Sequence, residues 1–252
     1  MTTEIAIKLE NATKAFTRLK GDPVVAVDNV NFDVFKGEIF GLLGPNGAGK
    51  TTTLRMISTI LKPTDGHILV DGFDTTAQSN EVRRRLGFLS GNTGLYKRLK
   101  AWEMVAYFGQ LYGMKESLLM ERIDKLFKLL DMVEFRDVLC DALSSGTRQK
   151  VSIARTIVHD PPILVFDEPT AALDPLVART LLDFIKGLKD EGKTIVFSTH
   201  IMLEAERLCD RVGIIHRGKM LEIGSIPEIL ERTGTDSLES AFFALAGEGV
   251  WE

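Results

Sequence analysis

The sequence contains little cysteine and no long apolar run. Only Cys140 and Cys209 are present among 252 residues; they lie far apart and form no CxxC motif, which indicates reduced thiols of a cytosolic protein. No apolar stretch approaches the roughly 20 residues that a membrane-spanning helix needs. The first residues, MTTEIAIKLE, lack the charged segment followed by an apolar run that marks a signal peptide. We therefore expect that any work at a membrane requires a partner protein.

Positive charge is not in excess either. Lysine and arginine number 31 against 35 aspartates and glutamates, which gives a net charge of −4 at pH 7. This balance argues against broad nucleic-acid binding, and we predict no nucleic-acid partner. The apolar and charged fractions are those of an ordinary globular protein, with no internal repeat and no low-complexity stretch. The length allows one large domain or two small ones.

Short apolar runs alternate with helical patterns along the chain, which predicts an α/β fold. The predicted strands are EIAIKLE, AVDNVNFDVF, EIFGLLG, GHILVDG, LGFLS, ILVFD, TIVFSTH, RVGIIH and KMLEIG. A helix is predicted over TTTLRMISTIL and ends at the KPTDG that follows.

Between about residues 92 and 160 the pattern is helical. AWEMVAYFGQLYGM and LLMERIDKLFKLLDMV have apolar residues at helical spacing, and the block has no convincing strand. We predict a helical subdomain inserted into the α/β core of a domain that spans residues 1–224. The remainder, residues 225–252, is a predicted tail in which SLESAFFALAGEG forms a short amphipathic helix.

The sequence GPNGAGKT, residues 44–51, matches the GxxxxGK[ST] pattern of a phosphate-binding loop between a strand and a helix. Its glycines allow successive backbone N–H groups to face one anion. Lys50 is predicted to reach the β- and γ-phosphates of a nucleotide and to act in catalysis, and the hydroxyl of Thr51 is predicted to bind Mg²⁺. The alternative, a chance glycine-rich turn, is disfavoured by the flanking strand and helix. The predicted nucleotide-binding residues of this segment are Gly44, Pro45, Asn46, Gly47, Ala48, Gly49, Lys50, Thr51 and Thr52.

Two predicted strands end in polar residues. ILVF is followed by Asp167 and Glu168, which strand alternation points to opposite sides, so that Asp167 faces the metal and Glu168 faces an attacking water. Glu168 is therefore the candidate general base. TIVFST is followed by His200, a candidate for hydrogen-bonding the γ-phosphate or positioning the water. The alternative for Asp167 and Glu168 is an ordinary solvated acidic turn, which the presence of a phosphate loop disfavours. The alternative for His200 is a structural histidine.

In chain order, the motifs GPNGAGKTT, LSSGTRQKVSIAR, ILVFDEPTAALD and TIVFSTH closely resemble the nucleotide-binding subunits of ABC transporters. The resemblance covers nearly the whole chain, and its most specific parts are FDEPTAALD and the LSSG turn. It implies a P-loop NTPase (RecA-like) core with an antiparallel β subdomain and an inserted α-helical subdomain. It also implies ATP and Mg²⁺ as cofactors. The ending SLESAFFAL resembles the tails of ATPases that serve ABC-2 type exporters, such as sodium and drug efflux systems.

The resemblance implies that two such domains dimerise head to tail around ATP. Ser144, Ser145 and Gly146, which we name the signature turn, would hold the γ-phosphate of ATP bound to the other domain. A turn that opens a helix suits an anion, and a two-fold dimer makes two equivalent composite sites. Asp174 would lie at the interface and link the sites, and Phe16 would stack on adenine. A core position at a strand edge accounts for Phe16 equally well.

Two features depart from the family pattern. The signature is usually LSGGQ, and here Ser145 and Thr147 replace a glycine and the glutamine, whereas Gly146 remains. Gly91 falls where the family usually has a glutamine that touches Mg²⁺ and the attacking water and senses the membrane subunit. Asn92 or a water is a candidate substitute. This second departure affects the contact with the metal and the communication with the membrane subunit, and it does not affect the predicted binding of ATP.

We predict an ATP-hydrolysing subunit that powers export through a separately encoded transmembrane permease and lies peripherally on the cytoplasmic face of the cell membrane. The helical block would receive the permease, and the second ATPase subunit would be an identical copy or a paralogue. Two alternatives stay open. One is a soluble ABC ATPase of DNA repair or translation, a class that usually has two ATPase domains, zinc-binding insertions or coiled-coil arms. The other is a regulatory subunit that binds ATP but hydrolyses it poorly, which Gly91 suggests.

Overall fold

A computed structural model describes residues 4–17, 21–91 and 94–247 of the chain. These residues contain ten β-strands: β1 (Ile5–Phe16), β2 (Val24–Phe35), β3 (Ile39–Leu43), β4 (Asp65–Val70), β5 (Phe73–Asp74), β6 (Leu86–Leu89), β7 (Ile163–Asp167), β8 (Thr194–Thr199), β9 (Arg211–His216) and β10 (Lys219–Ser225). The same residues contain nine α-helices: α1 (Lys50–Ile57), α2 (Ser79–Arg85), α3 (Ala101–Leu111), α4 (Glu116–Leu129), α5 (Ser145–Ile157), α6 (Pro175–Asp190), α7 (Met202–Leu208), α8 (Ile226–Thr233) and α9 (Leu238–Ala246). The predicted α/β class is confirmed.

The strands form two sheets. One is a four-stranded antiparallel sheet with the order β2-β1-β4-β5. The other has six strands in the order β10-β9-β3-β8-β7-β6, in which neighbouring strands are parallel except for β9 and β10. These are the parallel core and the antiparallel β subdomain that the family resemblance implies.

Three central strands of the larger sheet are buried along their whole length. β3 (IFGLL), β7 (ILVFD) and β8 (TIVFST) are buried at every residue, as expected for parallel strands covered on both faces. One face, with Phe166 and Phe197, packs against α6 and the helical block. The other, with Phe40, packs against α1 and the antiparallel sheet. Because parallel strands end at the same edge of a sheet, the residues after β3, β7 and β8 meet there.

The predicted helical block is present between β6 and β7. It comprises α3, α4 and α5 with two 3₁₀ turns, Val133–Phe135 and Cys140–Ala142, and α3 packs on both other helices. α5 also lies directly on the core, because a Cβ on Gly87 of β6 would come 2.5 Å from the carbonyl oxygen of Thr156. The bounds of this block as a separate subdomain stay a prediction.

The helix after the phosphate loop is shorter than the sequence pattern predicted. α1 ends at Ile57, whereas the prediction continued through residues 58–61. Thr59 has a left-handed φ of 61°, which breaks the helix. The chain then turns so that the N–H of Thr64 donates to the carbonyl of Thr13, and β4 pairs with β1. Long-range strand pairing therefore overrides the local helical pattern.

The tail contains two packed helices, α8 and α9, where the sequence pattern predicted one. The signals for α8 were present: Ser225 and Glu228 form a capping box, and Gly234 is a left-handed C-cap. Ile229 and Leu238 are fully buried against α7 and β9, so both helices belong to the folded core. No helix in the described parts of the chain, the tail included, is long and apolar enough to cross a membrane.

His159 is expected to make the fold sensitive to acid. Its ring stacks on Tyr112 with the centroids 3.5 Å apart, and burial lowers the pKa of His159 from 6.5 to about 4. In the unfolded chain His159 takes up a proton near its ordinary pKa of 6.5, whereas in the folded chain it stays neutral until about pH 4. Protonation therefore favours the unfolded chain, so the free energy of unfolding is undiminished above pH 6.5 and falls as the pH drops toward 4.

Between about pH 7.5 and about pH 5.5 this residue should remove about 1 kcal/mol from the free energy of unfolding. The matched variant is His159→Phe, which keeps an aromatic ring but cannot be protonated. Urea unfolding should show that its free energy of unfolding falls by about 1 kcal/mol less between the two pH values than that of the wild type. Equal losses in the two proteins would mean that His159 is not the proton acceptor.

Candidate functional site

The phosphate loop, residues 44–51, connects β3 to α1 and is shaped by close backbone contacts. A Cβ on Gly44 would lie 2.1 Å from the carbonyl oxygen of Ile215. Gly49 precedes α1 with a left-handed φ of 110°, and a Cβ there would lie 2.7 Å from the carbonyl oxygen of Ala26. The loop can pack this tightly against β9 and β2 only because both positions lack side chains. Anion binding by the loop backbone and the start of α1 stays the prediction that the motif makes.

The other predicted loop residues lie along the same curve. Asn46 and Gly47 form its exposed tip, Ala48 is buried, and Pro45 is half-buried. Thr52 lies in the first turn of α1. Their contacts with a nucleotide stay predictions.

Lys50 is a buried cation whose ammonium group has three oxygen partners. Nζ donates to the carbonyl oxygens of Gly44 at 2.7 Å and Pro45 at 3.1 Å, and it lies 3.1 Å from Oε1 of Glu168. Only 4% of the lysine side chain is exposed. Because an ammonium group has three protons, its donor capacity is used within the protein. A phosphate that binds Lys50 must therefore replace one or more of these acceptors.

Asp167, the last residue of β7, bridges two neighbouring elements. Its Oδ1 accepts hydrogen bonds from Thr51 Oγ1 at 3.1 Å and from Ser198 Oγ at 2.8 Å. Burial raises the pKa of the Asp167 carboxyl, and the two hydroxyl hydrogen bonds act in the opposite direction. The structure thus brings together the carboxylate and the hydroxyl that the sequence predicted as metal ligands.

Glu168 lies just beyond β7, and a turn rather than strand alternation sets its position. Its φ of 47° is left-handed, which is uncommon for a residue other than glycine. The N–H of Glu168 is held by the carbonyl and hydroxyl oxygens of Ser198, at 3.2 and 3.1 Å. Asp167 and Glu168 do face different partners, Thr51 and Lys50. The cause is the left-handed turn at Glu168, so the prediction that strand alternation separates them was wrong.

His200 follows β8 and completes a chain of contacts with two other predicted catalytic residues. Its Nδ1 lies 3.4 Å from Oε1 of Glu168, and 42% of its side chain is exposed. The pairing of Thr199 with Leu43 aligns the ends of β8 and β3, which places His200 beside the phosphate loop. Lys50, Glu168 and His200 therefore form one continuous chain of polar contacts, and their roles in catalysis stay predictions.

Sequence reasoning missed the polar residues that hold this chain of contacts in place. Buried Glu204, in α7, accepts hydrogen bonds on Oε2 from Thr199 at 2.8 Å and Thr170 at 3.0 Å. Gln149, in α5, donates to the carbonyl oxygen of Pro169 at 2.6 Å and so ties the helix of the signature turn to the residue after Glu168. The hydroxyls are visible in the sequence, but only the fold shows which carboxylate they reach.

The signature turn begins α5 and is stabilised by its own residues. Ser144 is the N-cap, and its Oγ accepts from the N–H of Thr147 at 3.2 Å and lies 2.9 Å from the hydroxyl of that residue. Thr147, at the position of the family glutamine, thus supports the helix start. Ser144 and Ser145 are exposed, and Gly146 lies against α6, where its added Cβ would be 3.2 Å from Val177 Cγ1.

Asp174 and Phe16 both lie at exposed positions. The side chain of Asp174 caps α6 by accepting from the N–H of Leu176 at 2.9 Å. Phe16 ends β1, pairs with Val24 and is 40% exposed, so the alternative of a core position is wrong. The same strand pair continues to Ala26, which touches the phosphate loop. Adenine stacking on Phe16 and an interface role for Asp174 stay predictions.

Gly91 lies beside the backbone of the two acidic residues, Asp167 and Glu168. A Cβ added to it would be 3.2 Å from the carbonyl oxygen of Asp167 and 3.9 Å from that of Glu168. Its φ is not left-handed, so the backbone can accept a side chain. A contact from this position to the metal and the attacking water stays a prediction. The other candidate, Asn92, lies outside the described residues.

Comparison with known proteins gives consistent matches. The family model described as ABC transporter matches residues 27–171. The chain is 45% identical over 228 residues to the ABC transporter ATP-binding protein NatA of Bacillus subtilis, covering 90% of this chain and 93% of that protein. It is 32% identical to the linearmycin resistance ATP-binding protein LnrL of Bacillus subtilis, over 92% of this chain and 73% of that protein. The dimeric structure of a post-hydrolysis state of the ATP-binding cassette MJ0796, bound to ADP and Pi, matches with a TM-score of 0.80 at 29% identity, covering 87% of this chain and 98% of that one.

Fold, site geometry and sequence similarity agree. The similarity extends over the phosphate loop, the signature turn and the paired carboxylates, and it does not favour a DNA-repair or translation ATPase. The matching cassette structure contains the products of ATP hydrolysis. This chain therefore belongs to the family of ABC transporter ATP-binding proteins and is an ATPase subunit of a transporter.

Proposed function

We propose that this chain hydrolyses ATP at two composite sites of a dimer and so powers export through a separately encoded permease. The main support is the contact chain Lys50–Glu168–His200 beside Asp167. It combines, at one sheet edge, a cation for the phosphates, a carboxylate base and a further hydrogen-bonding group.

Lys50 couples the binding of ATP to the release of Glu168, the proposed base, from its ion pair. The β- and γ-phosphates bind the N–H groups of the phosphate loop, and the ammonium exchanges part of its present acceptors for phosphate oxygens. One of those acceptors is Glu168. Its carboxylate then becomes available to a water molecule, while the adenine stacks on the exposed ring of Phe16.

Hydrolysis follows from the position of Glu168. The carboxylate takes a proton from water, the water oxygen bonds to the γ-phosphorus, and the bond to the β-phosphate oxygen breaks, giving ADP and phosphate. His200, 3.4 Å from the same carboxylate, orients it and hydrogen-bonds the γ-phosphate. The hydrogen bond between Thr199 and Glu204 fixes the backbone from which His200 projects.

Thr51 and Asp167 would hold Mg²⁺. Their oxygens lie 3.1 Å apart, and Mg²⁺ commonly takes one or two protein oxygens and completes its shell with waters and substrate phosphates. When bound, the ion neutralises charge on the phosphates. The two protein oxygens at this position fit that demand.

The signature turn completes the site across a two-fold axis. Ser144, Ser145 and Gly146 lie at the start of α5, where free N–H groups and the helix dipole favour an anion. We infer that they hold the γ-phosphate of the ATP bound to the partner, which is a second copy or a paralogue. The two-fold symmetry gives two such sites.

The permease is proposed to dock on the helical block, which places the protein at the inner face of the cell membrane. A groove of about 540 Å³ between α2 and α3 is lined by Arg83, Arg84, Leu111 and Tyr112. Leu111 is 64% exposed, and an exposed apolar patch with a charged rim suits a protein partner. Export is favoured by the similarity to a linearmycin resistance protein. We propose no nucleic-acid partner.

Glu168→Gln should preserve ATP binding and lower kcat by about a hundred- to ten-thousandfold, because the amide keeps the shape but cannot accept the proton. Binding is measured by calorimetry and turnover by phosphate release, and the ATP-bound variant should elute as a dimer in gel filtration. The control is Glu191→Gln, at the exposed end of α6, which should leave both unchanged. Unchanged turnover in Glu168→Gln would remove the base assignment.

Two inactive variants should restore each other's activity if the sites are shared. Lys50→Ala removes the phosphate cation, and Gly146→Asp places a negative charge in the signature turn. A heterodimer of the two has one intact site, so an equal mixture should regain about a quarter of wild-type activity if the sites act independently. Absence of recovery in heterodimers isolated with two affinity tags would contradict sharing between chains.

Gly91→Gln should raise basal ATPase activity, because a missing water contact can cost on the order of a hundredfold in rate. Gly91→Ala is the matched control, since it adds the Cβ that lies 3.2 Å from Asp167 O without the amide. We expect low activity in the wild type and in Gly91→Ala, and several times more in Gly91→Gln. If glutamine is no better than alanine, the missing side chain does not limit the rate.

A further inference from the structure

A pocket of about 570 Å³ lies beside the phosphate loop and is walled by the C-terminal tail. Its lining includes Pro45 and Ala48 of the phosphate loop, His200 and Met202, and Phe243 of α9. The pocket adjoins the catalytic contact chain through His200. It is therefore formed jointly by the phosphate loop and the tail helix α9.

The walls of the pocket are held by specific contacts. The N–H of Gly218 donates to the carbonyl of Ala48 at 2.9 Å, which joins the β9–β10 turn to the phosphate loop. The side chain of Glu206 accepts from the N–H of Leu238 at 2.9 Å and anchors the start of α9 on α7. Phe242 packs edge-to-face on His216 with the centroids 5.8 Å apart. The pocket is thus preformed in the single chain.

Leu176 is an apolar side chain that the described residues of its own chain leave mostly exposed. It lies in the first turn of α6 and is 76% exposed, the largest exposed fraction among the large apolar residues that the structure describes. Its neighbour Val177 touches the signature turn, since a Cβ on Gly146 would lie 3.2 Å from a methyl group of that valine. Leu176 therefore projects from the surface immediately beside the signature turn.

Symmetry relates these two features. In the proposed dimer, the signature turn of one chain faces the phosphate loop of the other. Leu176, beside the signature turn, then faces the surroundings of the partner's phosphate loop, and the pocket is the apolar cavity there. We propose that Leu176 of each protomer inserts into this pocket of its partner, so that the tail helix α9 forms part of the dimer interface. This inference rests on the proposed head-to-tail dimer.

The charges around the two features are complementary. Arg217 and Glu239 lie at the pocket, and Asp174 and Arg179 flank Leu176, the latter three residues further along α6. An acidic and a basic group on each side can therefore meet opposite charges. Such rim pairs orient the partners, and burial of the leucine adds to the affinity. The fitting occupant is a second copy of this chain, or a paralogue with an apolar residue at the same position.

Crosslinking between differently tagged chains tests the contact. One chain carries Leu176→Cys and the other Phe243→Cys, both with Glu168→Gln to retain ATP. The native thiols are a suitable background, because Cys140 is buried and Cys209 is partly buried, and burial raises the pKa of both. A short bismaleimide should give an ATP-dependent product that carries both tags. Leu118→Cys, 56% exposed on α4, replaces Leu176→Cys as the control and should give none.

The outcomes separate the inference from the proposed function. If ATP produces a dimer by light scattering but no mixed product forms, the docking of Leu176 is wrong and the dimer stands. If ATP produces no dimer, the proposed function fails, and the inference fails with it. Leu176→Ala should weaken the ATP-bound dimer about tenfold or more, whereas Leu118→Ala should not. Equal affinities for wild type and Leu176→Ala would also overturn the inference.

Discussion

The parallel pairing of β3, β7 and β8 is the constraint on which the site depends. Asp167 pairs with Ser198, and Leu43 pairs with Thr199, so the carboxyl ends of the three strands lie level at one edge. Each strand then supplies a different group: the phosphate loop, the paired carboxylates and His200. A shift of one residue in either pairing would move these strand ends out of level and turn the side chains of the shifted strand to the opposite face of the sheet.

The buried charges at this edge stabilise one another. Lys50 is almost fully covered, which is tolerable only because two carbonyls and the Glu168 carboxylate satisfy its ammonium. Asp167 is likewise covered and has hydroxyl donors on both sides. Such a network holds each group in one place. Rigid positioning of this kind is what a phosphoryl-transfer site requires.

Much of this arrangement follows from local sequence. The glycines of the phosphate loop, the apolar runs of the buried strands and the helical spacing of the block each predict the right element. The helix after the loop was predicted too long, because the pairing of β4 with β1 pulls the chain away at Thr59. The capping residues of α8 are present in the sequence, but apolar spacing alone does not predict this helix.

The sequence by itself determined the chemical groups of this protein and their order along the chain: a phosphate loop, a helix-opening turn, two carboxylates and a histidine. These are local properties, since motif spacing and periodicity depend on neighbouring residues. Only the tertiary structure decided which groups meet. The left-handed turn that aims Glu168 at Lys50, the hydroxyls that reach Asp167, and the tail helix that walls a pocket beside the phosphate loop all depend on contacts between residues far apart in sequence. No periodic pattern encodes such contacts, because they arise from how the sheets and helices pack.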